Sequence, residues 1–408
     1  TKICSTVRPP KKKTTIQTII DFGVDQHRTK RNLNRLVAVF AAKRRRKSIM
    51  RIAPADELPE PTFEDSVKSY IHYWKEVFAE TPNDDKLAAR LLRFADTSFG
   101  SRINQWHIEQ DAFLGIVQAA HDSAPGPDGL PYSAWRAAPD FVQLALYRCY
   151  RHWVRNAMLP AGFNQAFLWL LPKDDSNTDA VGTVIVNPET TRPLSGANTD
   201  AKLFACAMRA VLDGAVADWA HPSQRGFLRG RNMVQNVIDV ERAGVIAGIQ
   251  PNNRAATFLF DFKAAFPSLS RAFIFRTLET VGIPPHIVAA IQALYSNNGH
   301  VLKIQGKCYP AFRAAGVRQG CPLSSIIFVI ATDSITRYLE ANLGPTDCLR
   351  AYADDIAILL HDVVRQLEFL HDAFVKIEAA TCLALNKRKC VMLPCWKLSL
   401  IHISEPTR

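Results

Sequence analysis

Apolar and polar positions run along this chain in two rhythms, and the change of rhythm marks the elements. SVKSYIHYWKEVFAE (66–80) sets Tyr70, Tyr73, Trp74, Val77 and Phe78 at helical spacing, predicting an amphipathic helix. AFLWLLPK (166–173) predicts a short buried strand ending in Lys173. TRPLSGANTDAKLFA (191–205) predicts a basic loop entering a helix, with Thr199 or Asp200 as the N-cap. TFLFDFKAAF (257–266) is an apolar β-type run interrupted by Asp261. GVRQGCPLSSIIFVIATDSI (316–335) is a glycine loop before an apolar helix, and AYADDIAILL (351–360) is strand, turn and strand. EAATCLALNKRKCVML (378–393) reads as helix end, turn and strand. SAPGPDGLPYSAW (123–135) concentrates turn chemistry, APADELPEPTFED (53–65) reads as a linker, and RNLNRLVAVFAAKRRRKSIMR (31–51) fits a helix with basic ends. Helical and strand-like segments alternate from 110 onward, which predicts an α/β or α+β architecture.

With 408 residues and 48% hydrophobic content the chain can bury a large core or several subdomains, and 22% charged residues exclude wholesale disorder. A formal net charge of +12 favours polyanionic partners, nucleic acid ahead of a membrane surface. Basic clusters KKK (11–13), RTKR (28–31) and KRRRK (43–47) crowd the first sixty residues and fit either a nucleic-acid-binding region or a disordered or nuclear-targeting tail. No apolar run approaches the roughly 20 residues that span a bilayer, and the basic first residues do not read as a signal peptide. The nine cysteines form no CxxC pair and no zinc spacing, so they read as reduced intracellular thiols. The chain opens on Thr1 rather than Met, and LSLIHISEPTR (398–408) reads as a non-native, adapter-derived tail; a fragment is the expectation.

Asp354 and Asp355 stand side by side between apolar flanks, and Asp261 stands among Phe258, Leu259, Phe260 and Phe262. Two unit charges 4 Å apart repel by about 4 kcal/mol at an effective dielectric near 20. A half-buried pair must therefore shed a charge or gain a cation. If the strand carrying Asp261 lies beside the Asp354–Asp355 hairpin, three hard oxygen ligands meet in a divalent-cation site suited to Mg2+. Taken alone, an aspartate pair is most often a solvated turn, and Asp261 fits a core carboxylate paired with an arginine.

The series FDFKAAF, RQGCPLS, YADD and LNKRK, preceded by APGPDG, LPK, RPLSGANTDAKLFA and QRGFLRGR, resembles the ordered motifs of a reverse transcriptase of the non-LTR, LINE-like branch. The resemblance covers about residues 110–393 and implies a right-hand polymerase fold with helical fingers and a palm containing an antiparallel sheet. The implied divisions are a basic extension with linker helices (1–109), fingers (110–205), palm (206–397) and the non-native tail (398–408), without a thumb. It implies that Asp261, Asp354 and Asp355 hold two Mg2+ ions, with Mn2+ as substitute, and that the Phe262 carbonyl completes the coordination. Lys389 is then the candidate general acid for pyrophosphate. Lys173 and Arg192 grip the triphosphate, Phe266 is the steric gate against a ribose 2′-OH, and Gln319 lies near the nucleotide sugar. Gly126, Gln224, Arg225, Arg229, Arg231 and Gly320 shape the surfaces toward template and primer.

The implied activity is RNA-directed DNA synthesis by nucleotidyl transfer from dNTPs to a primer 3′-OH, with weak or no activity expected of this fragment itself. Its partners are template RNA, DNA primer or target DNA, and dNTPs, with no membrane, inside the cell in the nucleus or a cytoplasmic ribonucleoprotein. Ala264, Pro267 and Cys382 depart from the family, which has Lys and Asp around the first motif and Gly in the last. The alternatives are a group II intron maturase, a viral RNA-dependent RNA polymerase (against which Ala353 and Phe266 argue) and a catalytically inactive nucleic-acid-binding fragment.

Overall fold

A computed structural model describes residues 49–51, 62–173, 184–250, 253–304 and 306–396. The basic clusters of 1–48, most of the expected linker and the 398–408 tail lie outside the described residues. Two four-stranded sheets organise the rest. In the first, Ala256–Phe260 (β5), Cys348–Tyr352 (β8), Asp355–Leu360 (β9) and Val391–Pro394 (β10) run in the order β10-β5-β9-β8, every pair antiparallel. In the second, Ala166–Pro172 (β2), Thr191–Ala197 (β4), Gly299–Ile304 (β6) and Lys307–Arg313 (β7) run in the order β4-β2-β6-β7, with β2 and β6 parallel. A small parallel pair joins Ile49–Arg51 (β1) to Val184–Ile185 (β3). The expected mixed α/β class holds.

The core follows from the apolar runs. Ser324–Asn342 (α11) is apolar on every side along its first half and is buried from Ile326 to Thr336, as a helix without a polar face must be. It packs behind the first sheet with Val363–Thr381 (α12) and Arg271–Thr280 (α9). Asp140–Asn156 (α5) contributes Tyr150 and Trp153, which stack with Phe113 and with Phe204 of Thr199–Trp219 (α6); the Trp153 Nε1 donates to the Ala290 carbonyl. The expected fingers–palm division at 205/206 falls inside α6, and one apolar core runs through both parts.

Phe63–Val77 (α1) lays Val67, Tyr70 and Trp74 over the second sheet, where Tyr70 Oη donates to Val186 O at 2.7 Å and Trp74 Nε1 to Thr191 Oγ1 at 3.0 Å. This helix begins inside the expected linker, because Thr62 and Asp65 form a reciprocal capping box.

Two further expectations need correction. The segment from Thr191 is a strand, not a loop: Pro193 lacks an N–H, but β4 is an edge strand that tolerates it. The helix that follows is N-capped by Asn198, leaving Thr199 and Asp200 in its first turn. Ile49–Arg51, read as the end of a basic helix, is extended and paired.

His300 of β6 is buried between Phe78 and Phe312. Its Nδ1 donates to Asn298 O at 3.2 Å, so Nε2 accepts from Ser195 Oγ at 2.8 Å and the ring is neutral. Burial first, then nearby Arg318, pushes its pKa from 6.5 down to about 4. Below pH 6.5 the unfolded chain takes up a proton that the folded ring refuses, so stability falls on acidification through that window, by about 2 kcal/mol at pH 5. Urea unfolding of His300→Gln at pH 7 and pH 5 should show this share of the acid sensitivity removed. Cys382 caps α12 at φ +64°, a left-handed position that favours glycine. Cys382→Gly should raise the unfolding midpoint, by about 0.5–1 kcal/mol in stability.

Candidate active site

The carboxylates reach one region because three strands of the first sheet end there. β5 stops at Phe260, and Asp261 is the next residue. β8 and β9 are joined by a turn of Ala353 and Asp354, with Tyr352 opposite Asp355. Since β5 pairs with β9 from Phe260↔Ile356 onward, Asp261 emerges at the same end of the sheet as that turn. Ala353 adopts φ +59°, a conformation that non-glycine residues visit at a cost.

The electrostatics record the crowding. Burial first, then Asp355 and Asp261, raises the Asp354 carboxyl above its ordinary value. Asp355 is open to water along one side and is raised by partial desolvation, then by Asp261. The neighbouring cation is Lys389, whose Nζ lies 3.3 Å from Asp261 Oδ2; Asn386 Nδ2 donates to the same oxygen at 3.2 Å. Asn386 N also donates to Asp261 O, and Lys263 N to Ala384 O, so the chain after β5 runs beside the loop that carries Lys389. These bonds use the carbonyl of Asp261, not that of Phe262, whose ring is buried against Phe374.

The donor set of three carboxylates fits a hard divalent cation. Among the described residues no three acidic, His or Cys groups converge on a single point. In this arrangement Asp261 is turned to Lys389 and Asn386, and the ammonium supplies the positive charge a cation would bring.

Lys173 and Arg192 sit across two adjacent strands, Lys173 just past β2 and Arg192 opposite Leu171 on β4. Lys173 Nζ donates to Glu189 O at 2.7 Å. Its pKa is lowered by desolvation first, then by Lys389 and Arg192, and raised by Asp261, so these four groups share one field. Phe266 opens the short helix Ala265–Ser268 (α8); its ring stacks on Phe328 at 4.6 Å and meets Phe227 edge-on at 5.9 Å. Gln319 O accepts from Ser195 N at 2.8 Å. Gly320 follows at φ +102°, where a Cβ would stand 2.7 Å from Ser195 O, so only glycine lets this loop lie against β4.

Several residues expected to face nucleic acid are engaged inside the protein instead. Gly126 is buried beneath Asn198, whose backbone and side chain fill the space of a Cβ. Arg231 donates to the carbonyls of Ala217, Ala220, His221 and Gln224, closing the C-terminal end of α6 where carbonyls lack helical partners. Arg225 pairs with Asp239 at 2.7 Å, which also holds Arg350 of β8. Gln224 is 1% exposed and bonds the backbone of Ala353. Arg229 is exposed.

Arg318 escaped the sequence reading. Fully buried, it donates to Asn164 O and Leu294 O, lies over Tyr295 and anchors the glycine loop from below. Its only sequence signal is a charge set directly before Gln319 and Gly320.

Residues 171–399 match the family described as reverse transcriptase (RNA-dependent DNA polymerase). The chain is 27% identical over 342 residues to the retrovirus-related Pol polyprotein from type-2 retrotransposable element R2DM of Drosophila melanogaster, covering 79% of this chain and 30% of that protein. It is 26% identical over 279 residues to the transposon TX1 uncharacterized 149 kDa protein of Xenopus laevis, covering 66% and 20%. With the R2 Pol polyprotein of Bradysia coprophila it shares 25% identity over 330 residues, covering 79% and 36%. The chain thus spans about a third or less of the length of these relatives. The family match extends over more than half of the chain and contains both the Asp261 strand and the Asp354–Asp355 turn, and the chain belongs to the reverse transcriptase (RNA-dependent DNA polymerase) family.

Proposed function

We propose that this chain carries the fingers (110–205) and palm (206–397) of the RNA-directed DNA polymerase of a non-LTR retrotransposon. The observation that supports this best is the meeting of Asp261, Asp354 and Asp355 at one end of an antiparallel sheet, in one field with Lys389, Lys173 and Arg192. The family as a whole depends on divalent metal; for this chain the reading is two Mg2+ ions, with Mn2+ as substitute, held by the three carboxylates and the Phe262 carbonyl. When bound, such ions supply Lewis acidity at the primer 3′-oxygen and the leaving pyrophosphate.

The protein's own groups do the rest. Lys173 and Arg192 neutralise and orient the triphosphate, the guanidinium by paired N–H donors. Phe266, fixed by its stack on Phe328, offers a rigid wall under the sugar that leaves no room for a 2′-OH. Gln319 and Gly320 line the approach of nucleotide and template. Lys389, which pairs with Asp261 at 3.3 Å, would be free to protonate the pyrophosphate oxygen were that carboxylate to hold a cation. Template RNA and a DNA primer bind through backbone contacts, as a hybrid near A-form is recognised by shape. The exposed Arg229 and the net charge of +12 favour this, and the work is done in the nucleus or in a cytoplasmic ribonucleoprotein.

Primer extension on an RNA template with Mg2+ and dNTPs tests the reading. Asp354→Asn should lower the rate by about a thousandfold, some 4 kcal/mol of barrier, with an unchanged circular dichroism spectrum; normal extension by that variant would remove the carboxylate assignment. Phe266→Ala should narrow the preference for dNTPs over rNTPs by about 10–100-fold, measured as the ratio of kcat/KM values. An unaltered ratio would remove the gate.

A further inference from the structure

The Ala353–Asp354 turn carries one of the three carboxylates and leads directly into a second, Asp355 at the start of β9, yet its own backbone is poorly suited to hold still. Ala353 sits at φ +59° without being glycine, and a two-residue turn has few bonds of its own. The segment Ser223–Gly226 lies directly against it. Ala351 N donates to Ser223 O at 2.8 Å, and Arg225 N donates to Ala351 O at 2.9 Å, so this segment forms a parallel bridge along the edge of β8. Asn236 Nδ2 adds a bond to the same Ala351 carbonyl.

At the end of that bridge stands Gln224. Its Oε1 accepts from Ala353 N at 2.8 Å and from Gly226 N at 2.7 Å, and its Nε2 donates to Ala353 O at 3.2 Å. Two amide donors on one atom fix which end of the side chain is oxygen. Both polar groups of the left-handed residue are thus held by one buried amide. Gly226 closes the clamp from the other side: a Cβ there would overlap the backbone of Ala353, so only glycine lets the two chains approach this closely.

We infer that Gln224 is a positioning residue for the Asp354–Asp355 turn, holding Ala353 in its left-handed conformation so that both carboxylates face the cation site, and that it makes no contact with nucleic acid. Ala353 borders a metal ligand, and partners one step behind metal ligands typically cost 10–100-fold in metal affinity or activity when removed. The inference rests on the polymerase reading for its activity measurement only.

The test uses the chain of 408 residues as wild type, Gln224→Ala and the double variant Gln224→Ala/Ala353→Gly. Hydrogen exchange of peptides covering the turn, Mn2+ binding followed by electron paramagnetic resonance, and primer extension are compared. In Gln224→Ala the turn peptide should exchange about 10-fold faster while peptides from α11 keep their protection. Mn2+ binding should weaken, and kcat should fall, by about 10-fold or more with KM for primer–template nearly unchanged. Glycine at 353 takes the left-handed conformation unaided, so the double variant should recover most of the Mn2+ affinity and kcat. Unchanged turn exchange and Mn2+ binding in Gln224→Ala would overturn the inference. So would a rise confined to KM for primer–template, the mark of a nucleic-acid contact. Absence of extension by the wild type would bear only on the activity of this chain, and turn exchange and Mn2+ binding would still decide the role of Gln224.

Discussion

The crowding of Asp354 and Asp355 beside Asp261 is the constraint on which the rest of this structure depends. Burial first and then the neighbouring carboxylates raise Asp354, burial and then Asp261 raise Asp355, and groups so placed drift apart unless the backbone beneath them cannot yield. Rigidity comes from burial. β9 contributes Ile358, Leu359 and Leu360, all fully enclosed: Ile358 and Leu360 share a core with α11, and Leu359 packs on the other side with Ala247 and Ala255. The apolar flanks that make the aspartate pair look misplaced in sequence are the material that keeps it in place.

The cationic side of the region is built from different elements. Lys173 and Arg192 come from the second sheet, and Lys389 from the loop between α12 and β10. Their common reach toward Asp261 depends on how the glycine loop at Gln319–Gly320 leans on Ser195 of β4, the contact that buried Arg318 supports from beneath. Lys173 and Arg192 thus sit on a frame separate from that of the carboxylates, whereas Lys389 shares the carboxylates' own sheet through β10.

Legibility in the sequence followed the range of the interactions. Asp261, Asp354 and Asp355 drew notice because a carboxylate inside an apolar run is anomalous, but only the order of the surrounding motifs separated a shared site from a solvated turn and a core ion pair. The strands at 166–172, 256–260 and 348–360 were readable because their periodicity is local. Thr191–Ala197 was not, since Pro193 signals a loop and only the sheet order reveals an edge strand. Arg231 and Gln224 were unreadable for another reason. They share an arginine-rich stretch that looks like a phosphate-binding surface, but their partners are backbone groups: Arg231 closes a helix end, and Gln224 reaches across 129 positions of sequence to Ala353. Backbone partners leave no mark on side-chain composition.

β10 gives the sheet a last property. Pairing Val391 with Leu259 sets how far Lys389 stands from Asp261, one lying two residues before Val391 and the other two beyond Leu259. Strand pairing therefore serves as a ruler for the distance between acid and base. Lys389 N and Cys390 N both donate to Asn386 O, so one residue gained or lost between Asn386 and Val391 would break this turn and displace the ammonium while leaving every strand intact. Length in that short loop is held by geometry, whatever freedom its composition retains.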